Sequence, residues 1–169
     1  MHKYGYEDGR RGFEAKFWIE GDTLKIKIYG SDHGYDWRVN LKACPRRFGY
    51  HRGWYEEALK LCNYIINNII LPPKVRIIGH SAGGPIGCIL LRMLLPYVRE
   101  ADAITINSPS SGNRKRNKYL ENRITSYVHR GDIVRHFPLL YAKPKIKKYG
   151  RFTWFWRAHV KMPDAWNDF

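Results

Sequence analysis

The stretch from Val75 to Leu91, VRIIGHSAGGPIGCILL, constrains this chain more than any other. Val75 to Ile78 reads as a short buried strand, and a sharp turn follows it. An apolar helix comes next and runs until Pro96 stops it. The turn, Gly79-His80-Ser81-Ala82-Gly83, has the G-x-S-x-G spacing of a nucleophile elbow. A serine on a strand-to-helix turn is held in a strained backbone conformation, so its neighbours two residues away must be nearly free of side chain. Gly79 and Gly83 fill those two places. Pro85 falls early in the helix, where a missing N–H leaves nothing unpaired. Gly84 and Gly87 would let the helix lie close against the strands.

The rest of the chain supplies strands and helices in alternation. Phe13 to Glu20 and Thr23 to Tyr29 flank Gly21-Asp22 as a β-hairpin, and Leu24, Ile26 and Ile28 alternate with Lys25 and Lys27. A helix opens at Gly53 or Trp54 and runs to about Ile70, with Ala58, Leu59, Cys62, Ile65, Ile66 and Ile69 as its apolar stripe. Pro72-Pro73 ends it. Ala103 to Asn107 is a second buried strand leading to Ser108-Pro109, and Ile124 to Val128 is a third leading to His129-Arg130-Gly131-Asp132. The tail from Leu139 is less regular, with Phe152 to Trp156 as an aromatic candidate strand. This alternation predicts a mostly parallel sheet with helices on its faces. At 169 residues one domain, residues 1–169, is the expected count.

Cys44, Cys62 and Cys88 form no C-x-x-C pair, and the latter two read as buried small hydrophobes, which fits a reducing compartment. The N-terminal MHKYGYEDGRRGFEAK has no apolar stretch for a signal peptide, and the longest apolar run is too short to span a bilayer. A soluble, cytoplasmic or otherwise intracellular protein is the expectation. The net charge is +15, with a sequence pI near 9.9. The excess gathers from Ser110 onward, in Arg114-Lys115-Arg116 with Lys118 and in Lys143-Pro144-Lys145-Ile146-Lys147-Lys148. Such a field draws polyanions, either nucleic acid or anionic lipid headgroups. A solvated basic surface that keeps the chain in solution is the plainer reading of the same residues.

A serine hydroxyl is a poor nucleophile until a base takes its proton, and the base needs a carboxylate to fix its tautomer. In strand-elbow-helix architectures the order along the chain is Ser, then Asp or Glu, then His. Asp132 is the best-placed acid, in a turn just past the C-terminal end of a strand. Asp102 lies before its strand, at the wrong end, and Asp164 and Asp168 follow every histidine. His129 and His136 flank Asp132 closely and are expected to shape its loop. His159 is the histidine far enough downstream to return to the site, and it is the expected base. His80 is expected to pack beside the turn. The oxyanion of a tetrahedral intermediate needs N–H donors, one of them from Ala82, the residue after the nucleophile. The loop Tyr29-Gly30-Ser31 is the candidate for the second, with Ser31 adding its hydroxyl to its amide.

Several segments together resemble the class 3, fungal-type lipases of the α/β-hydrolase fold. Tyr29-Gly30-Ser31 through Asp36-Trp37 and Asn40-Leu41 is similar to that family's R-G-[ST]…D-W…[DN]-L segment, with Tyr29 in the place of the arginine. His51-Arg52-Gly53-Trp54 resembles its H-x-G-F, and Gly79 to Gly83 its G-H-S-x-G. Ser108-Pro109 with Gly112-Asn113 resembles its S-P…G-N turn. His129 to Val134, with His136 and Pro138, resembles the segment that carries its triad acid, although Arg135 sits where a proline is common. The resemblance implies a compact, minimal α/β-hydrolase with a mostly parallel central sheet flanked by helices. It also implies an oxyanion residue at Ser31, a lid at about residues 32–37, and a triad of Ser81, Asp132 and His159.

Both lines of reasoning lead to a serine ester hydrolase, a lipase or esterase acting through an acyl-enzyme on esters of lipids or phospholipids. The resemblance and the motifs imply no metal and no organic cofactor. Expected partners are a lipid or ester substrate and an anionic membrane surface met by the basic C-terminal region. The alternative is a catalytically inactive protein on the same scaffold that binds polyanions. No recognisable nucleic-acid motif supports that alternative. An acyltransferase or thioesterase would use the same triad, since the sequence does not show what accepts the acyl group.

Overall fold

The computed structural model describes residues 2–4, 14–30, 50–110, 120–132, 146–151 and 162–169. Ser31, the lid segment at 32–37, Asn40-Leu41, Cys44, Gly112-Asn113, His136, the Phe152 to Trp156 candidate strand and His159 lie outside these residues, as does most of the basic run after Ser110. Among the described residues seven strands make one sheet in which spatial order follows chain order. They are β1 (His2–Tyr4), β2 (Ala15–Glu20), β3 (Thr23–Ile28), β4 (Lys74–His80), β5 (Glu100–Ile106), β6 (Ile124–His129) and β7 (Ile146–Tyr149). β1, β2 and β3 pair antiparallel, and β3 through β7 are all parallel.

The hairpin forms where the alternation places it, with Glu20 facing Thr23 across a two-residue turn. Gly21 turns there with a φ of 59°, a left-handed value that glycine adopts without penalty. Asp22 then clamps the turn to β4: its carbonyl accepts from the Lys74 N–H at 3.2 Å and its carboxylate pairs with the Lys74 ammonium at 3.0 Å. Leu24, Ile26 and Ile28 face one side of the sheet and are fully buried.

That side carries both long helices, α1 (Arg52–Asn68) and α2 (Gly83–Leu94). Parallel strands that each step one place onward, joined by right-handed crossovers, put their connecting helices on a common face. Trp54, Ala58, Leu61, Cys62 and Ile65 of α1 therefore pack with Ile86, Ile89, Leu90 and Leu94 of α2 over Phe17, Ile26, Val75 and Ala103. Cys62 and Cys88 are buried and in no disulfide among the described residues, and their apolar surroundings in the sequence suggest that burial. Among the described residues no helix is long and apolar enough to cross a membrane.

The opposite face has a smaller cover. Ile78 and Ile106 point that way and meet Trp166, with Tyr29, Ile104, Tyr127, Met162 and Phe169 around them. Trp166 belongs to a one-turn helix, α3 (Asp164–Asn167), in a terminal segment that lies across the back of the sheet. Lys27 donates to the Trp166 carbonyl at 2.7 Å and rests over the indole ring. Burial, and then the charge of Lys16, push the Lys27 ammonium below its usual pKa.

Three features depart from the sequence reading. β1 and β7 lie in stretches that carry no clear alternation, and both depend on a neighbour for their pairing. β5 begins at Glu100, three residues earlier than its apolar run. Asp102 therefore lies inside the strand rather than before it, paired with Arg76 at 3.2 Å near the end remote from the elbow.

Candidate active site

The elbow joins β4 to α2. Ser81 has a φ of 50°, in the left-handed region where an L residue with a side chain is strained. Its conformation is held from outside the turn: the Ser81 N–H donates to the Ile106 carbonyl of β5 at 2.9 Å. The Ser81 carbonyl in turn accepts from the Gly84 N–H at 3.0 Å as α2 begins. A Cβ on Gly79 would stand 2.6 Å from the carbonyl carbon of Gly83, and one on Gly83 would stand 2.6 Å from the carbonyl oxygen of Ile28. Neither space can be opened without moving backbone, so the two glycines follow from the closeness of β4, α2 and β3. Ala82, buried, sits at the N-terminus of α2, where the leading N–H groups have no partner within the helix and the dipole favours an anion.

Gly30 brings the end of β3 against Ser81. A Cβ there would lie 2.8 Å from the Ser81 Cβ and 3.0 Å from the His80 carbonyl oxygen. The chain therefore enters the candidate oxyanion loop in direct contact with Ser81, while Ser31 itself lies outside the described residues. Gly30→Ala is expected to push the two apart. A misplacement of this order costs about 100-fold in rate. The check is the rate of serine labelling by a fluorophosphonate, with far-UV circular dichroism unchanged. Behind this contact, Trp166 meets Tyr29 edge-on at 5.5 Å and His80 at 6.1 Å. His80 thus packs beside the turn.

Asp132 lies on the same end of the sheet, after β6. Since β5 alone separates β4 from β6, the two strand ends are about 10 Å apart. Asp132 is buried, and its N–H closes a turn onto the His129 carbonyl at 3.1 Å. His129 shapes this loop, as its position in the sequence suggests. It is buried, its Nδ1 donates to the Arg130 carbonyl at 2.8 Å, and its ring meets Tyr149 edge-on at 5.1 Å. Arg130 N–H donates to the Tyr149 carbonyl at 3.0 Å, which ties the turn to β7.

Sequence reasoning passed over Asn107. It is wholly buried, has a φ of 47°, accepts from the His129 N–H at 2.9 Å and donates from Nδ2 to the Tyr149 hydroxyl at 2.9 Å. Its one sequence signal is an asparagine at the C-terminal end of a parallel strand, just before Ser108-Pro109. Burial, opposed by the Asn107 hydrogen bond and helped by the Asp132 charge, pushes the Tyr149 hydroxyl up to about 12. The folded chain thus holds a proton that the unfolded chain releases near pH 10. Stability from this group is complete below pH 10 and is lost as pH rises towards about 12. Thermal melts in that window should fall less steeply for Tyr149→Phe than for the wild-type chain.

Ser81, Ala82, Gly30 and Asp132 thus gather at the C-terminal ends of β3, β4 and β6, the edge where open α/β sheets bind ligands. His159 lies three residues before the described terminal segment that Trp166 anchors.

A family model described as Lipase (class 3) matches residues 26–142, more than half of the chain. No protein of curated function matches the chain significantly. Among solved structures, the chain is similar to a mono- and diacylglycerol lipase from Aspergillus oryzae, with a TM-score of 0.66 at 16% identity, covering 82% of this chain and 57% of that enzyme. It is also similar to the nonglycosylated LIP2 lipase of Yarrowia lipolytica, with a TM-score of 0.61 at 14% identity and coverages of 86% and 65%. At these identities the likeness is one of fold, and the chain spans less than two thirds of either enzyme.

Proposed function

Because the chain belongs to the class 3 lipase family, we propose that it is a serine hydrolase of lipid carboxylic esters, acting through Ser81, His159 and Asp132. The observation that carries this reading is the strained Ser81 at the mouth of a parallel sheet, wedged between glycines that no side chain can replace. A protein has no structural need for a left-handed serine there, and such strain gathers at reactive sites.

In this reading Ser81 Oγ attacks the ester carbonyl carbon while its proton passes to His159. The carbonyl electron pair moves onto oxygen, and that oxyanion is met by the Ala82 N–H and by the Ser31 loop. Collapse expels the alcohol, which takes the proton from His159 and leaves an acyl-Ser81 ester. Water attacks that ester and gives its proton to His159; collapse breaks the bond to Ser81 Oγ, which takes that proton back as the acid is released. Asp132 keeps the imidazole in the required tautomer and stabilises its cation. The buried Asp132 beside the loop that ends β6 is suited to that task. The proposed substrates are esters of lipids or phospholipids.

The test is fluorophosphonate labelling followed by peptide mapping. The expected adduct is on Ser81 and is lost in His159→Ala. No adduct on Ser81, with or without lipid vesicles, would remove the reading and favour a scaffold that binds polyanions without catalysis. A membrane-facing role for the basic region adds a second expectation. At low salt, binding to vesicles rich in anionic phospholipid should exceed binding to neutral ones, at about 1 kcal/mol for each Lys or Arg near the surface. Equal binding to the two would remove it.

A further inference from the structure

We infer that Asn107 is a positioning residue that sets the spacing between the nucleophile and the triad acid, with the Tyr149 hydroxyl as its support. The inference rests on the proposed roles of Ser81 and Asp132. Ile106 and Asn107 are adjacent in the chain, yet each serves a different partner. The Ile106 carbonyl receives the Ser81 N–H at 2.9 Å and holds the elbow. The Asn107 side chain receives the His129 N–H at 2.9 Å, where the turn that carries Asp132 begins. One peptide unit therefore spans the gap between β4 and β6, and movement of Asn107 alters the separation of the two groups.

The residue type follows from the position. The φ of 47° favours glycine, asparagine and aspartate over residues with other side chains. A buried N–H from His129 requires an acceptor, which fixes the orientation of the amide and turns its Nδ2 towards Tyr149. Glycine would satisfy the backbone and neither partner. Aspartate could accept from both His129 and the Tyr149 hydroxyl, but it would bury a second carboxylate at the sheet end that already holds the buried Asp132. The Asn107 N–H is used as well, donating to the Tyr127 carbonyl at 2.9 Å. Tyr149 is suited to its part because its hydroxyl oxygen accepts from the amide at 2.9 Å, and its own carbonyl already holds Arg130 of the same turn.

The test compares wild type, Tyr149→Phe, Asn107→Gly and the double variant, read by Ser81 fluorophosphonate labelling and by kcat and KM on a chromogenic acyl ester. Glycine keeps the left-handed backbone, so the second variant removes the amide alone. One lost hydrogen bond to a positioned group is worth about tenfold. The expected fall in kcat and labelling rate is therefore about tenfold for Tyr149→Phe and about a hundredfold for Asn107→Gly, with KM unchanged. The two act in series, so the double variant should be no slower than Asn107→Gly alone. Ile65→Val, which thins the core under α1, gives a destabilised control whose kcat at 25 °C should match wild type. Wild-type kcat in Tyr149→Phe, or losses that multiply in the double variant, would overturn the inference while leaving the triad intact. If Asn107→Gly does not fold, Tyr149→Phe decides alone. A wild-type protein that takes no label on Ser81 removes the proposed function and this inference with it.

Discussion

Asp132→Asn is expected to leave the fold intact and lower turnover by about 10⁴-fold, as the same exchange does in other serine triads. The fold should persist because two main-chain contacts hold the turn whatever side chain stands at 132. The Asp132 N–H to the His129 carbonyl, and the Arg130 N–H to the Tyr149 carbonyl, do not involve the carboxylate. Asparagine is nearly the same size, so the buried space stays filled. What changes is the chemistry offered to His159. A carboxylate only accepts, and so it obliges the imidazole to direct its N–H towards it and to present a bare nitrogen to Ser81. An amide can donate instead, which stabilises the opposite tautomer, and it carries no charge to balance the imidazolium. The measurement is kcat on a chromogenic ester together with the melting temperature. A fall below tenfold would mean that another group orients the base.

Legibility in the sequence followed how much of each feature is local. The elbow could be read because its signal is local: the apolar run Val75 to Ile78, then glycines two residues either side of Ser81, where the structure leaves no room for a Cβ. The β2–β3 hairpin could be read because Leu24, Ile26 and Ile28 alternate with lysines around Gly21, and these leucine and isoleucine side chains are the ones buried. Strand β7 had no such pattern. Its sequence is Ile-Lys-Lys-Tyr, and it exists through pairing with β6, with Lys147 resting over the Tyr127 ring. The terminal segment is a similar case. Met162, Trp166 and Phe169 are too few to show a periodicity, and their placement depends on an apolar patch made by Ile78 and Ile106 from two different strands.

The site divides along the same line. Ser81, Ala82 and Asp132 were named as candidates from spacing and from position at strand ends, and all three lie on one edge of the sheet. Asn107 was passed over because its role depends on a backbone angle and on partners 22 and 42 residues away. A sequence displays neither. Gly30 was named only as part of a loop, since its contact with Ser81 arises when β3 and β4 lie side by side.

Ser81→Gly is expected to abolish catalysis and to stabilise the fold. The hydroxyl is the proposed nucleophile, and removing the nucleophile of a serine triad costs about 10⁶-fold in kcat. The backbone tells the other half. At a φ of 50° an L residue costs roughly 1–2 kcal/mol relative to the right-handed region, a penalty that glycine escapes. Glycine gives back about 0.5–1 kcal/mol through the greater freedom of the unfolded chain. The balance favours the variant by about 0.5–1 kcal/mol, or a few degrees in melting temperature for a chain of this size. Ser81→Ala separates the two effects. It loses the same nucleophile but keeps a Cβ in the strained conformation, so it should be equally inactive and no more stable than wild type. Thermal melts of the three proteins, at a pH where all are monodisperse, compare them directly. A glycine variant clearly above the alanine one would show that the fold carries strain at Ser81 for which catalysis is the reason. Equal melting would mean that the elbow holds its serine without penalty, and the physical argument for a reactive site would then fall to the triad residues alone.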